Sequence, residues 1–231
     1  MSEVIMDFSE GKIISGYTEQ IPFDKSLKKL REKGLEIIPC SINLELLMQA
    51  GQDSYLLDPK NRLSHHVVSE ALIYFPNDQE RILLTKKSPA VQLPELLSED
   101  LVPITSLVIK RNGHLLDGYI ESAISNGIWL KNTPGFSYKV PTNKFGDDEL
   151  TTFLFGEVAQ EGGEYLHDHG INRLEILYSA HPCYFHGKKG SFLMQLDLGI
   201  SFPDDPLFYF GNYSNFGTAF SRVRGFSSNK L

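Results

Sequence analysis

The spacing of apolar residues predicts helices early in the chain. Residues 23–34 (FDKSLKKLREKG) and 41–51 (SINLELLMQAG) place apolar side chains three or four positions apart, and each segment ends at a glycine. Such spacing is typical of amphipathic helices, with Ser41 as a cap for the second one. Short apolar runs at 10–17 (EGKIISGY) and 35–39 (LEIIP) predict strands beside them.

The middle of the chain changes to a strand-like pattern. Residues 65–75 (HHVVSEALIYF) and 81–87 (RILLTKK) flank the turn-like PNDQE, which predicts a hairpin. A second hairpin is predicted around Asn112-Gly113, because both residues tolerate the positive φ of a tight turn. Residues 117–127 (DGYIESAISNG) then predict a short helix that ends at glycine.

A turn-rich loop separates this region from the rest of the chain. We expect a sub-domain boundary at 131–147, within a single domain spanning 1–231. Residues 147–163 (DDELTTFLFGEVAQEGG) predict one helix capped by an aspartate, and strands are predicted from residue 171 onward. The predicted class is α+β, with helices mainly in the N-terminal part and an antiparallel, β-rich C-terminal half.

Composition narrows the class of protein. The chain is 41% hydrophobic and 22% charged and has only two cysteines, so neither wholesale disorder nor a disulfide scaffold is expected. The acidic N-terminus has no apolar signal region, and no apolar run reaches the roughly 20 residues of a membrane span. We therefore expect a soluble, cytoplasmic protein without a membrane partner. A net charge of −7 disfavours nucleic acid as a general partner.

Four of the seven histidines fall between residues 162 and 190. If residues 166–170 are extended, His167 and His169 point to the same side and can share one metal ion. His181 or His186 would supply a third nitrogen. The predicted ion is zinc or iron, which would activate water or a small-molecule substrate. The interpretation is thus a metal-dependent enzyme, a hydrolase or an oxygenase, with the cluster at 164–186.

Two glutamates near these histidines are the predicted catalytic residues. Glu164 and Glu175 would bind the metal or act as a general base. His167, His169 and Glu175 also resemble the first motif of the cupin family, which implies a metal site. Five residues separate His169 from Glu175, whereas the family has three or four. The alternative is that glycines bracket an exposed, solvated connection here.

The C-terminal segment suggests a different function. Residues 176–231 hold 12 of the chain's 25 Phe and Tyr residues, with five Lys or Arg against three Asp. Phe220 and Phe226 flank Arg222 and Arg224, and aromatic rings beside cations can bind single-stranded nucleic acid. The glycines there resemble the glycine-rich C-terminal loop of CRISPR repeat-associated RNA-binding proteins. The alternative functions are a non-enzymatic binding protein for RNA or a protein partner, and a self-associating structural protein.

Overall fold

The protein is built from helices and a mostly antiparallel sheet. A computed structural model describes residues 2–8, 11–17, 23–50, 66–75, 78–88, 107–109, 121–131, 137–177, 191–201, 207–212 and 222–229. Within these residues the predicted α+β class is confirmed, and strands are frequent after residue 171. The predicted distribution of helices is only partly right. The chain opens with a strand hairpin, and two helices lie between residues 149 and 168.

Twelve strands of the described residues form one branched sheet. They are β1 (Ser2–Phe8), β2 (Gly11–Tyr17), β3 (Glu36–Ile37), β4 (His66–Phe75), β5 (Asp78–Thr85), β6 (Leu107–Ile109), β7 (Ile128–Lys131), β8 (Ser137–Pro141), β9 (Arg173–Leu177), β10 (Ser191–Ser201), β11 (Leu207–Asn212) and β12 (Arg222–Asn229). The main path runs β1-β2-β12-β4-β10-β11-β9-β8. Among the described strands, only the pairs β11–β9 and β12–β4 are parallel. The predicted hairpin of β4 and β5 is confirmed.

Four α-helices of seven or more residues occur in the described part of the chain. They are α1 (Phe23–Glu32), α2 (Cys40–Ala50), α3 (Glu149–Phe155) and α4 (Ala159–Asp168), and residues 121–126 are also helical. The helix α1 ends where the sequence predicts, because Gly34 takes a φ of 68° that few other residues adopt. The helix α2 lies between α3, α4 and β4, and α1 packs on β3 and β12.

The predicted helix at 147–163 is two helices. Gly156 adopts a φ of 63° after α3, and a short 3-10 turn, Gly156–Val158, precedes α4. Asp148 caps α3 by accepting hydrogen bonds from the backbone N–H groups of Leu150 and Thr151, at 3.0 and 3.1 Å. The prediction of a capping aspartate is therefore confirmed, whereas the continuous helix is wrong because the positive φ of Gly156 interrupts it.

The predicted loop at 131–147 also contains regular structure. Residues 137–141 form β8, which pairs with β9, and a 3-10 helix, Thr142–Lys144, follows at once. The sequence pattern missed this strand because Pro141 and the turn residues beside it suggested a continuous connection. A sub-domain boundary in this segment stays a prediction.

The core lies where α2, α3 and α4 face the central strands. Phe145 and Phe155 stack there with ring centroids 5.5 Å apart, and both are fully buried. The helix α4 comes close because it carries glycines on this side. A Cβ at Gly162 would overlap the side chain of Leu44, and one at Gly163 would overlap the carbonyl oxygen of Thr142. No helix in the described residues has the length and apolar character needed to cross a membrane.

Candidate functional site

The histidine segment is helical where the structure describes it. His167 lies in the last turn of α4, and His169 is the residue that ends this helix, so the predicted extended conformation of 166–170 is wrong. The extended geometry that would place both rings on the same side is therefore not present here, and the role of His167 and His169 as metal ligands stays a prediction. His181 and His186 lie outside the described residues.

His169 has a local structural role. Its Nδ1 atom lies 2.7 Å from the carbonyl oxygen of Tyr165, and the two rings are 4.1 Å apart. The imidazole therefore covers the C-terminal end of α4, where carbonyl groups have no partner within the helix. His167 is exposed on the same helix. The two histidines thus have different surroundings.

The two predicted catalytic glutamates are also separated. Glu164 is exposed on α4 and accepts a hydrogen bond from Gln160 at 3.2 Å. Glu175 lies on β9 and forms ion pairs with Lys139 at 3.5 Å and Arg173 at 3.6 Å. These contacts are typical of structural charge pairs on a sheet. In the described part of the chain, no three His, Cys, Asp or Glu side chains are grouped to hold a metal ion. Zinc or iron stays a prediction.

The aromatic and basic tail forms an interior strand. Arg222 and Arg224 lie on β12, which runs between β2 on one side and β3 and β4 on the other. Phe226, on the same strand, is half-buried against the hydrophobic core. Phe220 lies outside the described residues. Phe226 therefore contributes to packing here, and β12 has paired strands on both sides.

Strand β4 carries a buried carboxyl group in its middle. Residues 71–75 pair with β5, but at Ser69 the strand bonds to other segments. The Ser69 N–H donates to the carbonyl of Ile38 at 2.9 Å, and its carbonyl accepts from the Ser88 N–H at 2.8 Å. This arrangement holds Glu70, which is only 1% exposed, beneath the start of α2.

Glu70 caps α2 from outside the helix. Its two carboxylate oxygens accept the backbone N–H of Cys40, the first residue of α2, at 3.0 and 3.2 Å. The Ser69 hydroxyl donates to Glu70 Oε2 at 3.2 Å. The first N–H groups of a helix have no internal partner and favour a negative group. Glu70 supplies it, so the predicted cap, Ser41, lies inside the helix and the prediction is wrong.

Burial dominates the acid–base chemistry here. Removal from water raises the pKa of Glu70 from 4.5 to about 7, although the hydrogen bonds from Cys40 and Ser69 act in the opposite direction. Burial also raises the pKa of the Cys40 thiol well above 9.0, and the neighbouring Glu70 charge adds to that rise. Cys40 is therefore held as a neutral thiol, which is a poor nucleophile.

Glu70 lies in the wall of a cavity of about 640 Å³ beneath α1, here called the α1 cavity. Such a volume is typical of sites for small molecules. Most of its wall is aliphatic or aromatic and comes from α1, the segment around β3, α3 and β12. These apolar residues are Leu27, Leu30, Leu35, Ile37, Leu154 and Phe226. The cavity can thus bury an apolar body and offers one titratable group inside.

Charged side chains border the α1 cavity. Arg31, Glu36, Lys86 and Lys87 all line it, and all four are exposed. The Lys86 ammonium lies 5.2 Å from the centre of the Phe153 ring, a cation–π contact that directs its side chain over α3. The exposed charges are therefore three positive groups and one negative group.

One exposed aromatic group lies apart from this cavity. Trp129 on β7 is 36% exposed, with the Arg81 guanidinium 4.5 Å above its ring and Phe75 at 5.5 Å. Tryptophan and arginine are common at protein interfaces. Trp129 is the only tryptophan in the chain, and this was the feature of the sequence that could have drawn attention to the position. A self-associating structural role stays a prediction.

Comparisons with known proteins identify a fold and no family. No protein-family model matches the chain, and no match was found among characterised protein sequences. A solved structure, described as the accommodation of massive sequence variation in Nanoarchaeota by the C-type lectin fold, is similar with a TM-score of 0.64. It shares 12% sequence identity over 96% of this chain and 100% of that chain. The chain therefore shares the C-type lectin fold with that nanoarchaeal protein.

Proposed function

We propose that this protein is a non-enzymatic binding protein that takes a small molecule into the α1 cavity. The observation that carries the proposal is the cavity itself, with its volume of about 640 Å³ and its apolar wall beneath α1. Pockets of this size bury most of the surface of a small ligand and gain affinity from apolar contact.

The chemistry of the cavity favours binding over catalysis. Both carboxylate oxygens of Glu70 lie within hydrogen-bond distance of the Cys40 N–H at the start of α2. The Cys40 thiol is neutral because its pKa is raised. Neither group is set up to attack a substrate. The fold adds a general argument: in the nanoarchaeal protein it accommodates massive sequence variation. A framework of that kind leaves ligand choice to local side chains.

An uncharged fluorescent probe tests this proposal. N-phenyl-naphthylamine has two aromatic ring systems and no charge at neutral pH. Its fluorescence intensity rises in apolar surroundings. We expect it to bind with a dissociation constant on the order of 100 μM or tighter, given about 0.3 kcal/mol for each heavy atom. Binding should also raise the unfolding midpoint, because the ligand binds only the folded state.

A pair of substitutions on α2 locates the bound probe. Ser41 lines the cavity and Gln49 is exposed on the same helix away from it. Ser41→Phe should fill the space and weaken binding at least about tenfold, whereas Gln49→Phe should leave it unchanged. Circular dichroism establishes that both variants fold. Equal binding by a folded Ser41→Phe protein and the wild type would place the probe elsewhere and end the proposal.

A further inference from the structure

The charges that border the α1 cavity specify the kind of ligand. Lys86 and Lys87 follow β5, at the point where the chain turns back to bond with β4. Both side chains are exposed and both line the cavity. Ammonium groups on long, flexible stems can reach a ligand head group while that group stays in contact with water.

Among the described residues, no acid neutralises Lys86 or Lys87. Within the described residues, the ion pairs involve other side chains, and no carboxylate lies within ion-pair distance of Lys86 or Lys87. The Phe153 ring under Lys86 leaves its positive charge in place. An anion in the α1 cavity would therefore have two exposed lysine side chains in the wall beside it.

The negative groups at the cavity do not cancel this field. Glu36 is the one exposed acid among the described residues that line the cavity, against three exposed cations there, Arg31, Lys86 and Lys87. Glu70 is deeper and accepts hydrogen bonds from Cys40 and Ser69, which spread its charge over local donors. The chain as a whole carries −7, so positive charge at this position is a local feature. The negative charge on the rest of the molecule would repel an anionic ligand from other parts of the surface.

We infer that the ligand of the α1 cavity is an amphipathic anion, with its apolar body against Leu30, Leu35 and Phe226 and its acidic head paired with Lys86 and Lys87. This inference rests on the proposed function, since it names the ligand class for the same cavity. The head group is a carboxylate, sulfonate or similar monoanion on a body of one or two rings or a medium-length alkyl chain. A neutral or cationic ligand of the same shape binds less well.

The experiment compares two probes that differ by one charged group. Anilinonaphthalene sulfonate has the ring systems of N-phenyl-naphthylamine and adds a sulfonate, which is ionised across the working pH range. Two exposed ion pairs should make the sulfonate bind about tenfold more tightly than the neutral probe at low salt. Added salt should reduce that preference and leave the neutral probe's affinity nearly constant.

Variants at the rim assign the preference to the two lysines. Lys86→Ala/Lys87→Ala should remove the preference for the sulfonate and change neutral-probe binding less than about twofold. Lys86→Glu/Lys87→Glu, a second and stronger change, should reverse the preference. Lys28→Ala/Lys33→Ala removes the same charge from exposed residues that do not line the cavity, and should behave as the wild type. Circular dichroism checks that each variant is folded.

The outcomes separate the two proposals. If neither probe binds in a manner sensitive to Ser41→Phe, the proposed function fails. If the neutral probe binds in the cavity but the sulfonate has no advantage, or keeps its advantage in Lys86→Ala/Lys87→Ala, the binding function stands and the anionic ligand class is overturned.

Discussion

The buried carboxyl of Glu70 should make the stability of this protein fall as pH rises. Its pKa in the folded protein is about 7, against 4.5 for an ordinary glutamate. Below about pH 4.5 the group is protonated in both states and contributes no pH dependence. Between these values the unfolded chain loses its proton while the folded chain keeps it, so the free energy of unfolding declines. Above about pH 7 the group is ionised in both states and the full loss is present.

The size of this loss follows from the pKa difference. One pH unit corresponds to about 1.4 kcal/mol, so the rise to about 7 amounts to a loss of about 3 kcal/mol. The groups around Glu70 change this little over the range. The Cys40 thiol stays neutral and Ser69 does not titrate, while Lys86, Lys87 and Arg31 line the same cavity as cations.

Substitution of the group isolates its effect. The glutamine side chain of Glu70→Gln resembles the protonated acid and does not titrate. The free energy of unfolding of this variant, relative to that of the wild type, should therefore increase by about 3 kcal/mol between about pH 4.5 and about pH 8. Urea denaturation followed by circular dichroism at several pH values measures this difference. Glu36→Gln, at an exposed position on the same cavity, should leave the wild-type pH profile unchanged. Parallel profiles for wild type and Glu70→Gln would refute the reasoning.

Three further predictions concern the helices around the core. Asp148→Ala should lower the free energy of unfolding, measured by urea denaturation, by about 2 kcal/mol, because it removes the cap of α3 and the acceptor for the Tyr138 hydroxyl. Glu149→Ala, the control, should have little effect. Gly163→Ala should lower thermal stability by about 3 kcal/mol or more, since its Cβ has no space, and a stable, folded variant would contradict the packing of α4. His169→Ala should cost about 1 kcal/mol and His167→Ala almost nothing, and equal losses would show that the two share a role.

The helices and strands were predictable where one face of an element dominates its sequence. The spacing of leucines in α1 and α2, and the glycine after α1, gave both helices to within a few residues. The failure came at α4. The sequence pattern predicted one helix over residues 147–163 and an extended segment at 166–170, whereas α4 begins at Ala159 and continues through Gly162 and Gly163 to Asp168. These glycines are there because neighbouring groups approach the helix closely, and spacing alone does not report such contacts.

The sequence contains a signal for the buried carboxyl group of Glu70, namely an acidic residue within an apolar strand, which a search for alternating apolar residues does not detect. Val67, Val68, Ala71, Leu72 and Ile73 are all fully buried, so β4 is covered on both faces. A strand of that kind reads as a continuous apolar run, and an acidic residue within it needs a buried partner. The partner, the N–H group at the start of α2, is thirty positions away in sequence. The local sequence pattern therefore marks Glu70 as unusual, but it does not predict the cavity around this residue.

The place of β12 in the sheet has a consequence for biosynthesis. The strand β2 ends at Tyr17, yet its pairing partner on the side away from β1 is β12, which begins at Arg222. During translation, the free edge of this hairpin is therefore not covered by β12 until synthesis has passed Arg222. Unpaired strand edges can pair with other chains, so association through β2 is favoured during this interval.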